Sequence, residues 1–309
     1  MIFGHLGQDG SLLRESFASD GIGVVGVSRA AVEVFGGDGN RLSSVPRPGS
    51  ILRVVEQFLP DQIYYLAAEH HSSETAQPAD SAADRAKYYS ANVTPYEALL
   101  EALVALGLPA KVFYAASCRV FEGSESATLD EETPLAPLTN YASAKARGIE
   151  LGEEYRARGV WATSGILFNH ESHLRPRTFF SSKVILAALE ISRGSRESLE
   201  VRDLSAVADW GYARDFIRAF RAVLEADQPG DFIIATGENN SAKSFIEFVF
   251  GHLGLNWHDH VRELGNANQK RPHLGVAQIS RLVEQTGWSP SLTFEGFVRQ
   301  LVSDHLETA

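Results

Sequence analysis

Close to the start of the chain a G-x-x-G-x-x-G run, Gly4-His5-Leu6-Gly7-Gln8-Asp9-Gly10, leads into Ser11-Leu12-Leu13-Arg14-Glu15-Ser16-Phe17, which reads as a helix. A second apolar stretch, Gly23-Val24-Val25-Gly26-Val27, follows it. Glycines let backbone N–H groups approach a pyrophosphate, and a helix N-terminus adds favourable partial charge. Alone, such a run describes any glycine-rich turn. Set between a strand and a helix that leads to another strand, it has the context of a dinucleotide cradle. Only Met1-Ile2-Phe3 precede Gly4, so the first strand is expected to fall short of the usual length of about five or six residues. Either that strand is clipped or the reading frame starts earlier.

The alternation continues downstream. Residues 50–58 have helical periodicity between Pro48 and Pro60, and 62–68 read as a buried strand. A helix through 92–106, a strand at 111–117, a helix carrying Tyr141 and a strand at 162–168 follow. Strands alternating with helices predict an α/β fold with a doubly wound, mostly parallel Rossmann sheet. Ligands bind at the carboxyl ends of such strands, which draws attention to Ser117-Cys118 and to Phe168-Asn169-His170. The second strand ends at Ser28-Arg29 with no Asp or Glu to hold a ribose 2′-OH. An arginine there suits a 2′-phosphate, so NADP is expected over NAD.

Tyr141-Ala142-Ser143-Ala144-Lys145 places a phenol and an ammonium four residues apart, on one face of a helix. That pairing favours the phenolate and brings the tyrosine towards acid/base chemistry at neutral pH.

The chain resembles the extended short-chain dehydrogenase/reductases that act on nucleotide sugars, in particular the GDP-mannose 4,6-dehydratase group. The resemblance is carried by Gly7-Gln8-Asp9-Gly10-Ser11, Leu66-Ala67-Ala68, Asn92-Val93, Tyr141 to Lys145 and Gly165-Ile166-Leu167-Phe168-Asn169-His170-Glu171-Ser172. Asp209-Trp210-Gly211, Asp215, the segment 232–237, Arg271-Pro272 and Gly287-Trp288-Ser289-Pro290 extend it over nearly the whole chain. It implies that Gly4, Gly7, Gln8, Asp9, Gly10, Arg29, Leu66, Ala67, Ala68, Asn92, Leu167 and His170 hold the dinucleotide together with Tyr141 and Lys145. Asn169, Arg175, Lys183 and Arg271 are the implied substrate contacts. In the group, a hydride leaves C4 of the hexose while the tyrosine takes the hydroxyl proton. A Ser or Thr at the preceding strand end shares the hydrogen bond to that oxygen, and a Glu two residues further on drives water loss across C5–C6.

This sequence departs at that strand end, which reads Ser117-Cys118-Arg119-Val120-Phe121-Glu122-Gly123. Aligned without a gap, Cys118 takes the hydroxyl position and Val120 that of the Glu. A thiol is a poor donor and a valine moves no proton. On an extended segment Glu122 would point to the same side as Val120 and stand in for the missing base. Ala208, Ser44 and Asn140 are further departures, at positions of an Arg, an Asp and a Pro in the group. The resemblance therefore implies a nucleotide-sugar 4,6-dehydratase. The alternatives are a 4-epimerase or 4-ketoreductase without the dehydration step, or a lapsed relative that only binds.

The expected organisation is a Rossmann domain from 1–167 and 205–235, with a substrate lobe from 168–204 and 236–309. A net charge of −11 and a pI near 5.4 argue against nucleic acid or an anionic membrane as partner. One cysteine, no basic-then-apolar leader and no apolar run of about 20 residues lead us to expect a cytoplasmic protein. His70-His71 and His258-Asp259-His260 lack the spacing of a metal site, and no metal is expected. The resemblance also implies a homodimer formed through the helices around 92–106 and 141–158.

Overall fold

Strand β1 is two residues long, Ile2–Phe3, yet it lies at the centre of an eight-stranded sheet. Its neighbours explain how so short a strand holds: the Met1 amine donates to Gln62 O at 2.7 Å, and Met1 O accepts from Tyr64 N at 2.9 Å. Gly4, at φ +85°, then turns the chain out of the sheet, and only glycine adopts that angle here without strain. The computed structural model describes residues 1–69, 81–265 and 273–308.

Beyond the turn come helix α1 (Gln8–Ser19) and strand β2 (Val24–Val27). The helix opens at Gln8, three residues earlier than its apolar pattern suggests. A hairpin follows, β3 (Ala31–Phe35) and β4 (Arg41–Pro46), then α2 (Ile51–Phe58) and β5 (Gln62–Tyr65). Helices α3 (Ala82–Asn92) and α4 (Thr94–Leu106) precede β6 (Lys111–Ala115), a 3₁₀ turn at Cys118–Phe121 and β7 (Thr128–Leu129). The expected single helix over 92–106 is thus broken at Val93, which caps both helices. Pro95 stands in the first turn of α4, where its missing N–H is harmless. Within a continuous helix it would remove a bond and crowd the preceding turn.

The chain continues through α5 (Asn140–Arg156), β8 (Trp161–Leu167), β9 (Asn169–Glu171), α6 (Phe180–Ser192), β10 (Leu199–Val201) and β11 (Val207–Tyr212). It ends with α7 (Ala213–Glu225), β12 (Asp231–Ile234), β13 (Asn239–Ser241), α8 (Ala242–His252), β14 (Val261–Glu263), β15 (Val276–Ala277), α9 (Ser280–Thr286) and α10 (Phe294–Glu307).

The large sheet runs β12-β8-β6-β5-β1-β2-β3-β4. Its first six members are parallel, as expected, but β3 and β4 are antiparallel and close one edge. The strand direction of connection reverses between β1 and β5, and a crevice opens there at the carboxyl ends.

Alternate residues of each strand serve opposite faces. Phe3, Tyr65 and Tyr114 join the cluster with α2, α4 and α5, whereas Ile2, Tyr64 and Phe113 join that with α1, α7 and α9. A third cluster binds α6, α8 and α10 to β10 and Trp210 of β11. Residues 205–235 divide between them: β12 extends the large sheet, while β11 lies between β9 and β13.

Candidate active site

A cleft of ≈950 Å³ lies over the crevice between β1 and β5. Gly4, Gly7, Gln8, Asp9 and Gly10 form its floor, with Arg29, Leu66, Ala67 and Ala68 along one side. Tyr141, Lys145, Cys118, Leu167, Asn169, His170 and Arg175 reach it from the other side. Asn92 stands behind this wall: it is buried, and its side-chain amide brackets the Glu69 backbone, accepting from N at 2.7 Å and donating to O at 3.2 Å. Lys183, half-buried in the first turn of α6, is not among the lining residues. Arg271 lies outside the described residues.

The glycine turn is fixed by its neighbours. A Cβ on Gly4 would meet Ala67 N at 2.8 Å, and one on Gly10 would meet His5 Cα at 2.5 Å. Gly7 differs, since among the described residues a Cβ there would touch only Gly4 O, at 3.4 Å. It is also the N-cap of α1 and offers no side-chain oxygen to the first N–H groups of the helix.

A network ties this turn to the end of β8. Gln8 donates to His170 O and Asp9 Oδ1, and the Ser172 hydroxyl donates to Gln8 Oε1 at 2.8 Å. The His170 Nε2 lies 3.1 Å from both Asp9 oxygens, and its Nδ1 lies 2.7 Å from Phe168 O. Burial disfavours the Asp9 carboxylate, but the charge and hydrogen bond of His170, with help from Gln8 and Arg175, hold it well below the usual carboxylate range.

At the opposite wall the expected chemistry is rearranged. The segment after β6 is a 3₁₀ turn, so the two-residue periodicity assumed for Val120 and Glu122 does not apply. Val120 is fully buried in the core. Glu122 does not line the cleft; its carboxylate accepts from Arg119 Nη1 at 2.7 Å and from the Thr139 hydroxyl at 3.2 Å. Cys118 borders the cleft, but it packs in the core, and burial pushes its thiol up to about 12. The hydroxyl that acts on the phenol is that of Ser117, which favours the phenolate and accepts from Arg119 N at 3.3 Å. Two residues further on, the side chain at the cleft is Arg119. The sequence offered both Ser117 and Cys118; only the turn geometry separates them.

Tyr141 also departs from expectation. Burial pushes its phenol up to about 12 despite the Ser117 hydrogen bond and the charges of Arg119 and Arg175. The Lys145 ammonium lies 6.0 Å from the Tyr141 ring centre and donates to Ala115 O at 2.6 Å. Burial lowers the Lys145 pKa from 10.5 to about 8, with Asp9 opposing. Below about 8 the lysine is protonated whether folded or unfolded, and its burial costs on the order of a few kcal/mol. Between about 8 and 10.5 the unfolded chain keeps a proton that the folded protein has released, so stability rises with pH in that window. In dinucleotide-free protein, Lys145→Met is therefore expected to melt higher than the parent at pH 7. That advantage should shrink towards pH 10, as paired thermal melts would show.

Four further residues frame the cleft without having been singled out. Glu69 pairs with Arg29 at 2.8 Å and Lys87 at 3.2 Å. Arg47 returns from the β3–β4 hairpin, its N–H donating to Ala30 O at 2.9 Å. Glu171, buried, accepts from Ser181 at 2.5 Å and from Arg175 Nε at 3.2 Å. Alternation at Ala31-Val32-Glu33-Val34-Phe35 ahead of Gly36-Gly37-Asp38-Gly39-Asn40 is a hairpin signal that would have located Arg47.

Known proteins resemble this chain. Residues 1–301 match the family described as GDP-mannose 4,6 dehydratase. GDP-mannose 4,6 dehydratase 1 of Arabidopsis thaliana is 31% identical over 340 residues, covering 100% of this chain and 90% of its own. The GDP-mannose 4,6-dehydratase of Sinorhizobium fredii is 34% identical over 279 residues, 82% of this chain and 76% of its own. Among solved structures, NADPH-complexed RMD from Pseudomonas aeruginosa superposes with a TM-score of 0.79 at 20% identity, covering 100% of this chain and 99% of its own. With its Rossmann sheet, glycine cradle and Tyr141/Lys145 helix, the chain belongs to the GDP-mannose 4,6-dehydratase family, among the NAD(P)-dependent nucleotide-sugar dehydratases and epimerases.

Proposed function

We propose that this enzyme carries out reversible hydride transfer at C4 of a nucleotide-linked hexose with NADP, as an epimerase or 4-ketoreductase, and does not expel water. One observation carries the reading. The Ser117–Tyr141 hydroxyl pair faces the cleft, but neither position that would supply the C5 base holds a carboxylate at the cleft. Counted from Ser117 the residue is Arg119; counted from Cys118 it is the buried Val120. Glu122 is held by Arg119 and Thr139 instead.

The cleft suits the dinucleotide. Gly7 is the glycine that protein packing does not demand, so its missing side chain leaves room on the cleft side for a pyrophosphate. Arg29 and Arg47 lie at the end of β2, with no carboxylate in the Ser28-Arg29-Ala30 turn, which favours a 2′-phosphate. RMD of Pseudomonas aeruginosa is complexed with NADPH, although other structural relatives carry NAD. Bound nicotinamide would accept the hydride and return it. Tyr141 would take the C4 hydroxyl proton as phenolate and give it back to the same oxygen, with Ser117 sharing the hydrogen bond. Lys145 would orient the nicotinamide ribose. The lobe of 168–204 and 236–309 would cover the sugar nucleotide through Asn169 and Arg175, and a homodimer through α4 and α5 belongs to the same reading.

The test uses NADP and hexose nucleotides deuterated at C4. The protein is expected to pass deuterium to the dinucleotide and to yield sugars that have lost no water. A product lighter by one water would restore the dehydratase reading. If no hexose nucleotide passes its label, both readings fall.

A further inference from the structure

We infer that Arg119 and Arg175 form an anion-reading subsite beside Tyr141, and that the hexose handled here carries a carboxylate at C6. The inference rests on the reading that Tyr141 acts on C4 of a nucleotide-linked sugar, and it names the class of sugar.

Both residues line the cleft, and both charges act on the Tyr141 phenol. They arrive from different elements, Arg119 from the 3₁₀ turn after β6 and Arg175 from the loop between β9 and α6. Arg175 keeps only 18% of its side chain exposed, with its guanidinium carbon 4.5 Å from the centre of the Phe179 ring. A guanidinium has five N–H donors. Arg119 engages Glu122 through Nη1, and Arg175 engages Glu171 through Nε. Each pairing leaves part of the planar fork to offer to another anion, and carboxylates are read by such forks in a bidentate manner.

Two arginines whose charges both reach an acid/base tyrosine, each with donors left over from its own carboxylate partner, are better matched to an anionic group than to a neutral hydroxymethyl group. A carboxylate at C6 suits them. It lies two bonds from C4, so a ligand whose C4 oxygen meets Tyr141 and Ser117 brings it into the same region. The same assignment accounts for the missing base, because a C6 carboxylate has no C6 hydroxyl to lose as water. The competing anion is the diphosphate of the sugar nucleotide itself, and the experiment separates the two.

NADP-loaded protein is titrated calorimetrically with GDP-mannose and UDP-glucose and with the matching C6 carboxylates, GDP-mannuronate and UDP-glucuronate. In at least one pair the carboxylate is expected to bind about tenfold or more tightly, the scale of one or two charge-assisted hydrogen bonds. Arg119→Gln should bring that ratio close to one. Arg119→Lys, which keeps the charge but not the fork, should fall between. NADP affinity, measured on every variant, reports that the fold is intact. A wild-type ratio near one overturns the inference and leaves the C4 reading standing. Equal weakening of hexose and hexuronate by Arg119→Gln also overturns it, and assigns Arg119 to the diphosphate. Failure of all four sugars to bind loaded protein removes the C4 reading and this inference together.

Discussion

Tyr141→Phe is expected to lower turnover by about a hundredfold to ten-thousandfold, the range that a positioned acid/base group contributes. The fold should not notice. The ring is half-buried against Tyr88 at 6.1 Å and keeps that contact in the variant, which loses only the phenol oxygen. Dinucleotide affinity should also hold within a few-fold, because the change leaves untouched the glycine turn at the cleft floor and the Asp9–His170 contact that braces it. The measurement is single-turnover transfer of label from C4, with NADP affinity as control. Ser117→Ala should cost less, since Tyr141 would still carry the proton. Cys118→Ala should cost least, as its thiol is packed in the core and points to no proton transfer. The order Tyr141, Ser117, Cys118 is therefore the signature. A Cys118 variant as slow as the Ser117 variant would return the thiol to the site.

That ordering could not have been read from the sequence, and the reason is local. Ser117-Cys118-Arg119-Val120 looks the same on paper whether extended or wound into a 3₁₀ turn, and the choice between them changes which side chains meet the cleft. The turn is set by contacts remote in sequence, including Ala136 N donating to Val120 O at 2.7 Å and Gly123 N donating to Ala136 O at 2.8 Å. The Tyr141 pKa was hidden for a similar reason. Helical spacing shows that Tyr141 and Lys145 share a face, but not that burial will dominate or that the ammonium turns to Ala115 O. The β3–β4 hairpin carries a signal in the alternation at Ala31–Phe35 ahead of its glycine-rich turn, but nothing in the sequence shows that Glu33, the polar member of that alternation, is buried. In the folded chain it is partnered by His5 at 2.6 Å and Arg41 at 2.7 Å. By contrast, the parallel sheet, the glycine turn and the placing of Gln8, Asp9, His170 and Lys145 at one cleft were legible. Strand–helix alternation and the carboxyl-end rule depend on short-range pattern and topology, which sequence records directly.

Gly7→Ala and Gly10→Ala should separate binding from folding within four residues of chain. At Gly10 the new methyl would meet His5 Cα at 2.5 Å and the backbone oxygen of Gly4 closer still. Backbone cannot swing aside as a side-chain tip does, so the helix must shift away from the turn. Overpacking of this kind typically costs about 1–3 kcal/mol, occasionally more. Because α1 packs Leu12, Leu13 and Phe17 into the cluster beneath β1, that displacement reaches the core. We expect a clear fall in melting temperature and loss of NADP binding together. At Gly7 the only neighbour among the described residues is Gly4 O at 3.4 Å, an ordinary contact, and φ is −74°. There alanine should leave the stability of dinucleotide-free protein unchanged within about 0.5 kcal/mol. Its methyl would instead occupy the side from which a pyrophosphate approaches the first N–H groups of α1, so NADP affinity should drop at least about tenfold, as for loss of one charge-assisted hydrogen bond. Paired melts and equilibrium titrations with NADP decide it. Should Gly7→Ala bind NADP as tightly as the parent, the diphosphate does not sit on this turn, and the assignment of the cleft floor fails with it.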